Sequence, residues 1–312
     1  MNASNEIALK ERGMKMRRTL LALALLVPAT LAAAAGEPHA AQGVLLKADP
    51  ASRTIEVSCD AIPGYMDAMV MTFAVHDTEV LKSLQPGGTV RFTMVEEGNE
   101  EFADHLEAIK VQNYEADPTE ASRLTYLHRA LDHTAAQKLI PIGGLVPNFA
   151  LTDQSNRLTQ LDDFNGMVVV LSFAYSRCPN PNYCFRLSNN LAQVGRRFQS
   201  RTGRSLILLT VVIEPDHDQG DELRRYADTW KADWSAWRFL TGPLADIHAI
   251  AEGFGMDFWN NEGYLTHSFH TVVIDREGRL AVNLEGNHFT SEQLGDLVKT
   301  VLDRPVSNGG GS

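Results

Sequence analysis

The sequence predicts two domains, a small all-β barrel followed by an α/β domain, and three observations lead there. About five short segments with strand-like alternation fall between Gln42 and Val111, separated by turn residues. From Leu145 to about Leu302, strand-like and helix-like segments alternate, the pattern of a sheet layered with helices. Within that second region, the apolar run Met167–Phe173 (MVVVLSF) leads into a loop holding two of the three cysteines. A helical face of Leu187, Leu191, Val194 and Phe198 follows.

In the first region, Val44–Lys47 and Thr54–Ser58 flank the turn-like Asp49-Pro50-Ala51-Ser52, which predicts a hairpin. Met71–Val75 alternates as a strand, Pro86-Gly87-Gly88 is a turn, Thr89–Val95 resumes alternation and His105–Val111 supplies a last strand. Five short strands in roughly 70 residues suggest a compact OB-like barrel. Asp117-Pro118-Thr119-Glu120 then opens a helix faced by Leu124, Leu127, Leu131 and Ala135, read as part of a linker.

In the second region, Phe149–Thr152 and Leu158-Thr159 predict a hairpin, and Ser205–Ile213 (SLILLTVVI) a second buried strand. Helices are expected over Asp221–Ala232 and His248–Phe254, then a hairpin from His270–Asp275 to Leu280–Leu284, and a terminal helix over Ser291–Leu302. A strand, a proline-punctuated loop with two thiols and a helix is how thioredoxin-like folds display redox-active or metal-binding cysteines. The expected division is a signal peptide over 1–35, the barrel over 41–112, a linker with a helix over 113–141, the thioredoxin-like domain over 142–304 and a flexible tail over 305–312.

Lys15, Arg17 and Arg18 precede an apolar run from Leu20 to Ala34 that ends in small residues, the pattern of a cleavable secretory signal. The formal net charge of −11 and the lack of a basic patch argue against nucleic acid as a partner. Export implies an oxidising compartment, in which three cysteines leave one to be explained.

Cys178 and Cys184 have five residues between them, two of them proline. Spacing alone leaves two readings open. One is a structural disulfide, worth about 2 kcal/mol for so short a loop. The other is a reactive or metal-binding dithiol near a helix N-terminus, soft enough for Cu(I). The second cluster is Cys59, Met66, Met69 and Met71. Methionine is ordinarily a core filler, but three of the nine methionines lie within six residues of one another, beside the third cysteine. Thioether and thiol together select Cu(I) or Ag(I).

Five segments in order resemble the Sco/SenC family of copper chaperones for cytochrome oxidase. They are Pro147–Asp153, Phe173–Pro179, Ile213–Asp218, Trp237–Gly242 and His267–Gly278. The resemblance implies a thioredoxin-like fold that binds one copper through two cysteines and a distant histidine. Those positions fall on Cys178, Cys184 and His267, with Asp216 in a segment where the family carries an acidic residue near the site. The family's usual cysteine spacing is three residues; this chain has five. His270, three residues after His267, is read as a non-ligand on the opposite face of a strand.

The Cys59–Phe73 stretch resembles the CusF-like copper- and silver-binding barrels, whose site has a histidine, a methionine pair and a capping tryptophan. Met69 and Met71 match the pair, while Cys59 stands at the histidine position and Met66 at the tryptophan position.

The combined reading is a periplasmic copper protein, a metallochaperone first, that captures Cu(I) or Cu(II) and delivers it to a respiratory oxidase. Its expected partner is a cytochrome oxidase subunit or another cuproprotein. If the signal stays uncleaved it also ties the protein to the membrane. Two alternatives remain: a thiol–disulfide oxidoreductase that uses Cys178 and Cys184 on a thiol partner protein, and a copper-resistance buffer.

Overall fold

The computed structural model describes residues 37–109, 139–261 and 264–305. The expected signal peptide, the linker helix and the tail after 305 lie outside the described residues. No helix among the described residues is long and apolar enough to cross a membrane.

Strands β1 (His39–Asp49), β2 (Thr54–Cys59), β3 (Met69–Ala74), β4 (Thr89–Glu97) and β5 (Glu100–Ile109) close into a barrel in the order β1-β2-β3-β5-β4. Closure joins β3 to β5 in parallel at Ala74 and Phe102 and leaves no open sheet edge. Leu45, Ile55, Val57, Phe73, Val90, Phe92 and Met94 fill the interior. The strand expected from His105 begins earlier, at Glu100, because Gly98 at φ +70° makes a two-residue turn with Asn99. The acidic run Glu96, Glu97, Glu100 and Glu101 hides that hairpin in the sequence.

The second domain runs β6 (Ala150–Asp153), β7 (Leu158–Gln160), β8 (Val168–Ala174), α1 (Arg186–Arg197), β9 (Leu206–Val212), α2 (Gly220–Thr229), β10 (Trp237–Thr241) and α3 (Leu244–Gly253). It continues with β11 (Phe258–Asn261), β12 (Tyr264–His267), β13 (His270–Ile274), β14 (Leu280–Glu285) and α4 (Ser291–Leu302). Seven strands form one mixed sheet, β14-β13-β8-β9-β10-β6-β7, with β8, β9 and β10 parallel. The strands β8 and β9 are buried along their whole length, which is why each reads as a continuous apolar run. Alternation still sorts their residues: Val168 and Val170 face the core under α1, α2 and α4, whereas Val169 and Leu171 face the core under α3.

Two elements depart from expectation. The helix expected from His248 begins at Leu244. Trp237 opens β10, a strand the pattern did not announce, and its indole N–H donates to Thr210 Oγ1 at 2.9 Å.

The barrel is docked on the α/β domain. In β1, Leu45 points into the barrel, while Val44 and Leu46 on the other face join Leu294, Leu297, Val298 and Val301 of α4 in one core. Gly87, in the turn before β4, sits at φ +91°, and a Cβ there would lie 2.6 Å from Val282 Cγ1. Only glycine allows both that backbone and that approach.

Candidate metal centre

The chain leaves β8 at Ala174, crosses Tyr175 to Asn180, and enters a single π-helical turn, Pro181–Phe185, that runs straight into α1. Asn180 caps the turn by accepting from Asn182 N at 2.9 Å. A wide turn accommodates extra residues without displacing the helix behind it, and such turns recur at functional sites. Here it absorbs the long cysteine spacing. Cys184 is buried at 1% exposure on the turn's inner side, and Cys178 is half-buried at the loop's start. All three cysteines of the chain are thiols.

His267 ends β12, whose antiparallel partner β11 sets it opposite Phe258. The ring is fully buried, and its Nε2 lies 3.7 Å from Cys184 Sγ. Nδ1 lies 2.9 Å from the Ser268 carbonyl, which can only accept, so Nδ1 carries a proton and Nε2 faces the thiols. Tyr175 and Phe269 pack edge-on against the ring at 5.7 and 4.7 Å. A hydrogen bond from Cys184 pulls the Cys178 thiol down from 9.0 to about 4, helped by His267 and opposed by burial. The arrangement is a trio of two sulfurs and one imidazole nitrogen, Cys184 and His267 buried and Cys178 half-buried, with one thiol primed as thiolate. That donor set suits a soft, thiophilic ion.

His270 lies on the next strand, β13, so the two histidines occupy different strands rather than opposite faces of one. Its Nδ1 is 2.8 Å from Asn283 Oδ1.

The buried acidic residue that holds the cysteine loop is Asp218; Asp216 is exposed. Asp218 is fully buried and accepts from Ser176 N at 2.8 Å, from Ser176 Oγ and from His217 Nδ1 at 2.8 Å. It clamps the loop two residues before Cys178. Glu214 alongside it is ion-paired to Arg177. Asp218→Ala would strip three donors of their acceptor, so a loss of about 2–3 kcal/mol in urea unfolding is expected. A loss below about 0.5 kcal/mol, the scale of an ordinary surface change, would remove the clamp role.

In the barrel, Cys59 is directly opposite Met69, and Val57 opposite Met71, so the thiol and both thioethers share one face of the β2–β3 ladder. Cys59 is 2% exposed, whereas Met69, first in its strand, is 52% exposed. Burial, then the nearby Asp60 carboxylate, pushes the Cys59 thiol up to about 12. Met66 packs half-buried on the barrel core, held by a backbone bridge to Ile62. Tyr65 beside it stacks on His39 at 3.7 Å, an aromatic cover that the sequence pattern did not single out. The structure thus gathers the predicted residues into two groups, Cys178, Cys184 and His267 in one domain, and Cys59, Met66, Met69 and Met71 in the other.

Residues 141–303, more than half the chain, match the SCO1/SenC family model, and residues 38–107 match that of the copper binding periplasmic protein CusF. Copper is the metal that both families bind. Among curated proteins no sequence matches the chain. Of solved structures, a SCO1/SenC family lipoprotein from Bacillus anthracis is 22% identical, over 52% of this chain and 96% of that one, with a TM-score of 0.47. Arabidopsis thaliana ScoI with copper bound is 20% identical, over 52% and 98%, with a TM-score of 0.44. The thioredoxin domain of a thiol-disulfide oxidoreductase from Bacteroides vulgatus is 15% identical, over 53% and 99%, with a TM-score of 0.39. With a soft-donor trio inside the region matched by one copper family and a sulfur cluster inside the region matched by another, the chain belongs to the SCO1/SenC family and carries a CusF-like copper-binding barrel ahead of that domain.

Proposed function

We propose that this is an exported, periplasmic metallochaperone that captures copper and delivers it to the copper site of a respiratory oxidase. One observation carries the reading: His267, far in sequence from Cys178 and Cys184, sets its imidazole Nε2 3.7 Å from the buried Cys184 sulfur. Cys178 and Cys184 serve as thiolate ligands and His267 as the nitrogen ligand. Met69 and Met71, with Cys59 and Met66 beside them, form a second Cu(I) site. The copper is cargo, held by soft donors that release it to a recipient with a better ligand set.

The reading is tested by copper content. Reduced full-length protein is expected to retain copper at the dithiol after gel filtration, and Cys178→Ser to lose that equivalent. If Cys178→Ser binds as much as wild type, the reading fails.

A half-buried, thiolate-prone Cys178 in front of a buried Cys184 also favours a second reading, a thiol–disulfide oxidoreductase in which Cys178 attacks and Cys184 resolves. Thiol exchange with a partner protein would survive His267→Ala; copper delivery would not.

A further inference from the structure

The barrel is not hung on a free tether, and its docking has a direction. The strand β2 runs antiparallel along α4. Glu56 lines a cleft with Lys299 and Asp303 near the helix C-terminus. Ser58 Oγ donates to Asp296 Oδ2 at 2.7 Å one turn closer to the start. Gln293 Nε2 donates to Ser58 O at 3.3 Å and to Asp60 Oδ1 at 2.8 Å in the first turn. Gln293 is 6% exposed and is also the third residue of the α4 capping box, where its Oε1 accepts from Thr290 N at 2.9 Å. One side chain therefore starts the helix and grips the residues on either side of Cys59.

The segment just before α4 grips the other site. Asn287 Nδ2 donates to Asn182 O at 2.8 Å, and Arg186 donates to His288 O at 2.9 Å. Asn182 and Arg186 lie two residues before and two after Cys184. From Asn287 to Gln293 the chain takes six steps, three of them in the helix, so the Cα atoms of the two gripping residues are at most about 15 Å apart. The methionine-bearing end of the barrel and the cysteine turn therefore face the same short stretch of chain. Exposed apolar side chains flank both: Met69 at 52% and Tyr65 at 49% in the barrel, and Phe185 at 56% beside Cys184.

We propose that copper passes from the Met69/Met71 site to Cys178, Cys184 and His267 within a single chain, the segment Asn287–Asp296 holding donor and acceptor at a short, fixed separation. The proposal rests on the copper reading above. In the step, copper stays Cu(I) and no electron moves. The Cu–S bonds to the Met69 and Met71 thioethers break while Cu–S bonds to the Cys178 and Cys184 thiolates and a Cu–N bond to His267 form, and any thiol proton leaves to water.

The test supplies Cu(I) from an excess of chromogenic chelator to reduced full-length protein and follows its arrival as copper–thiolate absorption. In wild type, arrival is expected to be first-order and independent of protein concentration, and Met69→Leu/Met71→Leu should abolish that phase. Linked sites meet at millimolar effective concentration, so transfer in trans should be about a thousandfold slower at micromolar protein. That arm mixes a loaded Cys178→Ser/Cys184→Ser chain with an empty Met69→Leu/Met71→Leu chain. Gln293→Glu keeps the capping-box acceptor but loses the donor to Ser58 and sets a carboxylate against Asp60. It should slow the first-order phase about tenfold at unchanged copper stoichiometry, a change of the order of allosteric couplings. Loading of the double-methionine variant at the wild-type rate, transfer in trans as fast as in cis, or a Gln293→Glu rate equal to wild type would each overturn the proposal. If copper content still depends on Cys178 in those cases, the metallochaperone reading stands and only the relay falls; if it does not, both fall.

Discussion

His267→Ala is expected to weaken copper binding at the dithiol by more than the 10- to 100-fold that loss of a ligand's outer partner typically costs. The reason is geometric. The ring is fully buried, its Nδ1–H is tied to the Ser268 carbonyl and its Nε2 faces the Cys184 sulfur. Because burial and the Ser268 carbonyl fix the ring, little ordering cost is left to binding. Alanine removes the nitrogen donor and leaves a space between the Tyr175 and Phe269 rings. Competition against a Cu(I) chelator measures the effect, with far-UV circular dichroism and thermal melting to show that the fold persists. An affinity within about threefold of wild type, under 0.7 kcal/mol, would exclude His267 as a ligand.

The cysteine loop was legible in the sequence because its supports are. The seven-residue runs of β8 and β9 are buried on both faces, and α1 announces itself through Leu187, Leu191 and Val194. His267 could be chosen by resemblance, but its mode of support could not. The strands β11 and β12 have only four residues each, too few for alternation to stand out. Asp218 was missed in favour of Asp216 because a sequence lists both carboxylates without saying which one the turn after β9 turns inward. Barrel docking was written in Val44-Leu45-Leu46, an unbroken apolar run in a strand that a solvated barrel would alternate with polar residues. The run also fits a buried hairpin, so it does not say what covers the outer face. Gln293 shows a further limit. The pattern Thr290-x-x-Gln293 signals a helix start, yet nothing in it tells that the same amide reaches another domain.

Alkylation of the native, reduced, metal-free protein is expected to be nearly as fast at pH 6 as at pH 8, with Cys178 as the residue modified. An ordinary thiol loses about a hundredfold in rate over that interval, because only the thiolate reacts. Cys178 escapes the loss because its hydrogen bond from Cys184, and then His267, hold it down to about 4, so it is already thiolate at pH 6. Cys59 supplies the internal contrast: burial and Asp60 push it up to about 12 and 2% exposure shields it, so it should stay unmodified until the protein unfolds. The sign for stability follows from the same shift. A thiol whose folded value lies below its unfolded value adds stability that is fully present above about 9 and is lost as pH falls through about 4. Cys184→Ala, which removes the leading cause, should raise the pH at which the rate reaches its plateau, and His267→Ala should raise it less. Mass spectrometry of iodoacetamide-labelled peptides across pH 4 to 9 reads all three chains. A wild-type rate that climbs tenfold per pH unit up to pH 8 would show that Cys178 is an ordinary thiol, and the thiolate-primed centre would have to be abandoned.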